Sequence, residues 1–366
     1  MTAGGPRVEW VRVGDYTVPT DQPESDGTLA WDATTVVVVE VHAGAATGLG
    51  YTYADSSTAA LIADTLSSVV MGRDALMVRE AWAAMISAIR NLGRPGVASM
   101  AVSAVDIALW DLKARLLGVP LVVALDGHHD TVAVYGSGGF TSYPLDTLAC
   151  QLAGWVDAGI PRVKMKVGRH PEQDGERLRV ALEAIGGRAE LFVDANGAFS
   201  RKQALAWATR YSEAGVTWFE EPVSSDDLAG LRLLRDRGAA GMDIAAGEYG
   251  YDAYYFARMV GAGAVDCLQA DPTRCGGFTG FAQAAAVCDA HGIDISAHCA
   301  PQLSVHACAA AWHARHLEYF HDHVRIESML FDGVLEPEPG GLLRPDRSRA
   351  GHGLTFKPVD AERYRA

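Results

Sequence analysis

The chain has 366 residues, 49% hydrophobic and 21% charged, which is the balance of a folded globular protein and more than one compact core usually holds. With 31 basic against 45 acidic residues the net charge is −14, which argues against nucleic acid and anionic membrane surfaces as partners and suits a protein that holds cations. The six cysteines, Cys150, Cys267, Cys275, Cys288, Cys299 and Cys308, form no Cys-x-x-Cys pair, so a structural zinc site is not expected and a reduced, cytoplasmic setting is.

Met1–Trp10 carries no apolar core of signal-peptide length. The β-branched run Thr34–Val41 is too short to span a bilayer and reads as a buried strand. The preceding segment Thr17–Trp31 is rich in Pro, Asp, Ser and Gly and reads as a long mobile loop, while Gly48-Leu49-Gly50-Tyr51 reads as a turn. Helical spacing follows over 57–71, 75–91 and 97–117; in the last, Val102, Val105, Leu109, Leu112 and Leu116 share a face and Gly118 and Pro120 end it. Residues 1–125 are therefore expected to form an α+β unit.

From about residue 131 the rhythm changes. Short apolar runs at 131–136, 161–166, 190–194, 216–220, 242–247, 264–270, 293–297 and 316–318 alternate with helix-length stretches such as Pro144–Ala158, Gln203–Ala214 and Gly280–His291. Such alternation means parallel strands with crossover helices, and this many repeats over 126–327 favours a closed barrel over an open sheet. The Gly- and Pro-rich tail, 328–366, is expected to return over the first unit.

Catalytic groups of a parallel barrel sit where strands end. The second strand ends in Lys164-Met165-Lys166, whose two lysines face the same way by strand alternation. If both point inward, like charge and desolvation lower a lysine pKa and make one of them a usable base; if outward, they are solvated. The next three strands end in Asp194, Glu220-Glu221 and Glu248. Three acids in one barrel mouth repel one another unless a hard divalent cation sits among them, and magnesium suits an oxygen-only set. Alternation turns only one of Glu220 and Glu221 inward, and Glu220 is taken as the ligand. Asp271 and His298 end neighbouring strands, where the carboxylate can fix the imidazole tautomer. Glu318 ends the eighth strand, as a helix-start acid or a partner of a substrate carboxylate.

The ordered set Lys164-x-Lys166, Asp194, Glu220, Glu248, Asp271–His298 and Glu318 resembles the mandelate racemase group of the enolase superfamily. The likeness extends over nearly the whole chain: Ser103–Asp111 resembles that group's last capping helix and Gly351–Leu354 its C-terminal return. The resemblance implies an α+β cap over a (β/α)7β barrel, Mg2+ held by Asp194, Glu220 and Glu248, and removal of a proton α to a carboxylate. It implies Lys164 as the charge that neutralises that carboxylate, Lys166 as base on one face, His298 held by Asp271 as acid or base on the other, and Glu318 as a hydrogen-bond partner of the enediolate. The chemistry is coherent, because groups that stabilise the developing dianion more than the ground state speed the step. A lysine or histidine base beside magnesium is the general pattern of this superfamily.

Two bases allow dehydration of a sugar acid to a 2-keto-3-deoxy acid, or racemisation or epimerisation of a 2-hydroxy acid. The resemblance favours dehydration, as does the polar neighbourhood of Tyr135, Ser137, Asn196 and Arg274. His321 and His323 lie nearby, with at least one expected in solvent, and Gly136–Gly139 reads equally as a tight turn. The cap is expected to add substrate contacts, with Trp31 and Tyr51 named among Asp21, Glu24, Asp26 and Tyr53. A cycloisomerase would have less use for the Asp271–His298 pair, a zinc hydrolase would need more histidines at strand ends, and a non-catalytic relative would have lost one of these groups. A small-molecule acid as partner and a homo-oligomer complete the expectation.

Overall fold

Three antiparallel strands, β1 (Val8–Ser25), β2 (Ala30–Ala43) and β3 (Ala46–Tyr53), open the fold in the spatial order β1-β2-β3. They are seen in a computed structural model, which describes residues 4–366. The Val36–Val39 run of β2 is buried on both faces, as its β-branched sequence requires.

The segment Thr17–Trp31 is not a loop. It is the far end of a long β1–β2 hairpin, interrupted there by a register shift between Pro19 and Glu24. β1 lies at the sheet edge, where prolines without an N–H to donate are tolerated. The turn residues belong to the tip alone: Asp26 Oδ1 accepts from the backbone N–H groups of Thr28 (2.6 Å) and Leu29 (2.7 Å). Gly48–Tyr51 is also not a turn but part of β3. Its glycines answer to close packing, since a Cβ on Gly50 would lie 2.3 Å from Ala104 O and one on Gly48 2.1 Å from Ala108 O.

Those carbonyls belong to the helix that organises the cap. Short helices α1 (Ser57–Leu61) and α2 (Ser67–Val70), joined by a π-helical turn over Ile62–Leu66, and α3 (Val78–Ala88) lead to α4 (Val97–Leu117) and α5 (Leu121–Ala124). Every residue of α4 from Ala101 to Leu112 is buried. Its two buried acids tie it to its neighbours. Asp106 accepts from Thr279 N (3.0 Å) and Thr279 Oγ1 (2.7 Å) on the barrel. Asp111 accepts from Leu49 N (2.9 Å) on β3 and His352 N (2.8 Å) on the tail.

Eight parallel strands follow: β4 (Val132–Gly138), β5 (Arg162–Lys166), β6 (Glu190–Asp194), β7 (Trp218–Glu220), β8 (Asp243–Ala246), β9 (Cys267–Ala270), β10 (Asp294–Ala297) and β11 (Ala314–Phe320). They pair in sequence order, and β11 pairs with β4 to close the barrel. Between and after them run α6 (Leu145–Asp157), α7 (Pro171–Ile185), α8 (Arg201–Glu213), α9 (Leu228–Arg237), α10 (Ala253–Gly261), α11 (Gly277–His291), α12 (Pro301–Ala309) and α13 (His321–Leu330). The barrel floor is filled by Tyr135, Phe192, Trp218, Ala245 and Cys267. Phe192 and Trp218 share a strand face with Asp194 and Glu220, two places further on. Gly136–Gly139 is largely strand: Gly136 makes room for Trp155, 2.5 Å from a notional Cβ. In the tail, Leu342–Leu343 pairs antiparallel with β4, and Gly351 to Leu354 reaches α4 and α5 through Leu121 N–Gly351 O (2.7 Å) and Arg115 Nη2–Leu354 O (2.9 Å). Among the described residues no helix is long and apolar enough to cross a membrane.

Gly50→Ala forces the α4 backbone away from β3 and is expected to cost about 1–3 kcal/mol, read from a denaturant midpoint; an unchanged midpoint would contradict the close approach. His306 is fully buried with no partner for either ring nitrogen, and burial pushes its pKa down to about 3. The unfolded chain therefore binds a proton here below about pH 6.5 that the folded chain refuses, and stability falls as pH drops from there toward about 3. His306→Gln is expected to flatten the slope of unfolding free energy against pH between about pH 4 and 6; an unaltered slope would refute it.

Candidate active site

The acids at the ends of β6, β7 and β8 converge because these strands are adjacent and in register, with Asp194 level with Glu220. One carboxylate oxygen from each of Asp194, Glu220 and Glu248 lies within 4.8 Å of the others, and all three residues are buried. Trp218 Nε1 donates to Glu220 Oε2 (2.9 Å), and Asn196 N donates to Asp194 Oδ1 (2.9 Å). Glu248 Oε2 is buried with no hydrogen-bond partner. An all-oxygen, buried, mutually repelling set with an orphaned carboxylate oxygen fits a hard divalent cation. Glu221 lies beside it, buried, at φ 38° with Oε1 unpartnered.

Two lysines sit against the acids. Lys164 Nζ donates to Glu220 Oε1 (2.6 Å) and lies 2.8 Å from Glu318 Oε1 and 3.4 Å from Asp194 Oδ2. Lys166 Nζ donates to Asp194 Oδ2 (2.5 Å). Neither lysine pKa is lowered, contrary to what the spacing of two inward lysines suggests. Burial is the largest influence and lowers both ammonium groups, but the carboxylates together outweigh it, Glu220, Glu318 and Asp194 at Lys164 and Asp194, Glu318 and Glu248 at Lys166, and both are driven upward. The pairing of two lysines along one strand says nothing of the acids that the barrel packs against them. The same crowding acts in reverse on Glu220, which burial and then Asp194 push up to about 8.

On the other flank, His298 Nδ1 donates to Asp271 Oδ2 (2.8 Å), and Asp271 Oδ1 accepts from Thr273 N and Oγ1, each 2.7 Å. Burial, the largest influence, pulls His298 down, but Glu248, the Asp271 hydrogen bond and Glu318 together outweigh it, and the net direction is up. Lys166 on β5 and His298 after β10 stand well apart around the mouth, with β4 and β11 between them on one side and β6 to β9 on the other. Glu318 on β11 closes the ring: its Oε1 accepts from Ser137 Oγ (2.6 Å), and its Oε2 from Cys299 N (3.2 Å).

These groups open into a cavity of about 370 Å³ between barrel and cap. Lys166, Asn196, Arg274, His298 and Glu318 line it from the barrel. Trp31, Asp26, Tyr53 and Asp55 line it from the cap. The hairpin tip is seated on the barrel, with Thr141 Oγ1 donating to Asp26 O (2.9 Å). Arg274 is itself held by Glu248 Oε1 (3.3 Å).

Three expected substrate contacts are not there. Tyr135 is fully buried in the barrel floor beside Phe192 and His316. Tyr51 is fully buried under the cap, its hydroxyl donating to Glu327 Oε1 (2.7 Å). Ser137 is buried behind Glu318 and serves it instead. The depth of a residue along its strand decides whether it reaches the cavity, and polarity alone does not reveal that depth. His323 is not solvated either; it is buried, stacked on Tyr53 with ring centroids 3.4 Å apart, and lines the cavity. His321 is half-buried and pairs with Asp21 (2.9 Å). Cys299 also lines the cavity, a role that a scattered cysteine does not suggest; its place directly after His298 is the signal that could have found it.

Comparison with known proteins agrees with this architecture. A family described as "Mandelate racemase / muconate lactonizing enzyme, N-terminal domain" matches residues 14–125 and one described as "Enolase C-terminal domain-like" matches 147–360. A 3,6-anhydro-alpha-L-galactonate cycloisomerase of Streptomyces coelicolor is 32% identical over 95% of this chain and 97% of its own. An L-talarate/galactarate dehydratase of Salmonella typhimurium is 30% identical over 96% of this chain and 89% of its own. Among solved structures, a mandelate racemase/muconate lactonizing enzyme-like protein from Rubrobacter xylanophilus superposes with TM-score 0.96 at 60% identity, covering 99% of this chain and 100% of that one. A racemase from Streptomyces coelicolor with bound magnesium gives TM-score 0.91 at 30% identity, covering 98% and 100%.

Because Glu248 adds a buried negative charge to its neighbours, Glu248→Gln is expected to stabilise the chelator-treated protein by about 1 kcal/mol. A lower thermal midpoint would mean that its contact with Arg274 outweighs the repulsion.

Proposed function

Since the chain belongs to the mandelate racemase/muconate lactonizing enzyme family of the enolase superfamily, we propose that it is a magnesium-dependent sugar-acid dehydratase. The observation that carries this reading is the buried Asp194–Glu220–Glu248 cluster, flanked by Lys166 on one side and the Asp271–His298 pair on the other. Asp194, Glu220 and Glu248 would hold the metal. When bound, magnesium supplies positive charge that lowers the energy of the enediolate relative to the carboxylate.

The chain's own groups do the rest. Lys164, held between Glu220 and Glu318, sets a fixed positive charge beside the substrate carboxylate. Lys166 and His298 face the α-carbon from two sides. One takes the α-proton as the C–H bond breaks. The other, protonated, delivers its proton to the β-hydroxyl as the C–O bond breaks, and water leaves. The resulting enol tautomerises to a 2-keto-3-deoxy acid. Asp271 keeps the His298 Nδ1 protonated, so Nε2 is the atom that exchanges protons. Asn196, Arg274 and Trp31 would position the hydroxyls.

A second reading is ring opening, favoured by the cycloisomerase that is 32% identical to this chain. Its chemistry differs only in the leaving group: a ring ether oxygen on the β-carbon in place of a hydroxyl. Protonation of that oxygen also needs an acid, so the Asp271–His298 pair serves this reading as well.

A panel of mono- and diacid sugars and their anhydro forms, assayed for 2-keto-3-deoxy product in deuterated water, separates the cases. Dehydration or ring opening gives the keto acid from the open or cyclic substrate. Racemisation gives α-deuterium without loss of oxygen and would displace the proposal. Lys166→Ala and His298→Asn are each expected to lower turnover by at least about 10²–10⁴-fold with the thermal midpoint retained, and chelation to stop turnover until magnesium is restored. Activity that survives both variants, or chelation, overturns the assignment.

A further inference from the structure

Cys299 has no part in the proton transfers, yet it is buried at the mouth of the site. It sits at φ 48°, followed by Ala300 at φ 42°, a left-handed pair that non-glycine residues adopt at a cost. The thiol lies against His298. Cys299 Sγ is 3.3 Å from His298 Nε2 and 3.4 Å from Glu318 Oε2, and His298 Nε2 is 3.7 Å from Glu318 Oε2.

The triangle has the dimensions of a tetrahedral zinc face. Bond lengths of about 2.0 Å to nitrogen and oxygen and about 2.3 Å to sulfur, at tetrahedral angles, place such ligand atoms roughly 3.3–3.6 Å apart. The other atom of each group is already fixed elsewhere. His298 Nδ1 donates to Asp271 (2.8 Å), which leaves the Nε2 lone pair between the thiol and Glu248 Oε2, the latter 3.4 Å away. Glu318 Oε1 is held by Ser137 (2.6 Å) and Lys164 (2.8 Å), whereas Oε2 accepts from Cys299 N (3.2 Å) and keeps a second lone pair. A carboxylate behind a ligating imidazole is the usual support of a zinc-bound histidine. The donors are nitrogen, sulfur and one oxygen, a set suited to a soft or borderline ion and unsuited to magnesium.

We propose that His298, Cys299 and Glu318 form a second cation site, for Zn2+ and thiophilic ions like it, adjoining the oxygen cluster of Asp194, Glu220 and Glu248 and sharing none of its residues. On binding, the thiol releases its proton to solvent and the sulfur, Nε2 and Oε2 each donate a lone pair to the ion. Ligation occupies the Nε2 lone pair, so the zinc form cannot exchange a proton there and is inhibited. The inhibition rests on the proposed role of His298; the ion site does not.

The test uses magnesium-saturated full chain in a Cys150→Ser background, because Cys150 is the exposed cysteine. Cd2+ is titrated while thiolate-to-metal charge-transfer absorption is read, and Zn2+ is then titrated in competition. One equivalent of cadmium–thiolate signal is expected, displaced by Zn2+ and not by added Mg2+. Cys299→Ser and Cys299→Ala, each checked for an intact thermal midpoint, are expected to lose the signal and weaken Zn2+ binding by at least about tenfold. In turnover, Zn2+ should inhibit the parent at concentrations that leave each variant at its own zinc-free rate. A cadmium signal that persists in both variants, or that excess Mg2+ abolishes, overturns the site. A signal lost in the variants with no zinc inhibition of the parent keeps the site and rejects the role of His298.

Discussion

The mutual repulsion of carboxylates is the constraint on which the site depends. Asp194, Glu220, Glu221, Glu248, Asp271 and Glu318 are all buried around one barrel mouth. Their backbone positions are dictated by strand pairing, so they cannot move apart. What relaxes the repulsion is charge placed among them: Lys164 and Lys166 against Asp194 and Glu220, Arg274 against Glu248 and Asp271. A protein that only had to fold would not collect these groups, because buried ion pairs seldom repay their desolvation. The arrangement makes sense as a site whose cost is offset by cation and substrate, in keeping with the pattern that functional sites break rules the rest of the fold obeys.

The barrel floor explains how the cluster is held. Tyr135, Phe192 and Trp218 form a packed aromatic layer beneath the charged one. Trp218 belongs to both layers, packing with its ring and donating to Glu220 with its nitrogen. Rigid support of this kind fixes ligands more tightly than loops can. The cap supplies the opposite wall. Its hairpin tip touches the barrel loops, where Gly27 approaches Ala195 O so closely that a Cβ would fall 2.2 Å away. That wall bounds the space open to a substrate, whereas the barrel carries the groups that act on it.

Much of this is legible without coordinates. The strand–helix rhythm after residue 131, the acids that close successive strands and the buried Val36–Val39 run are local patterns of period and spacing, and a one-dimensional string preserves them. The Asp271–His298 pair is legible for the same reason, since both residues end neighbouring repeats. The failures share a cause. Pro19 and Pro23 look like loop residues because nothing in the string shows that β1 is an edge strand. Gly48 and Gly50 look like a turn because the α4 backbone that demands them lies far along the chain.

Hydrophobic period and repeat length are properties of neighbouring residues, so the amino-acid string alone gives the strand–helix alternation and the identity of the groups at the strand ends, while the β11–β4 pairing that closes the barrel joins segments far apart in the chain. Three-dimensional packing set the upward direction of the Lys166 pKa, the burial of Tyr51, Tyr135 and His323, and the contacts of the Cys299 thiol. Each depends on groups from distant segments meeting in a low-dielectric space, and Coulomb forces and packing act on distance in three dimensions and not on separation along the chain.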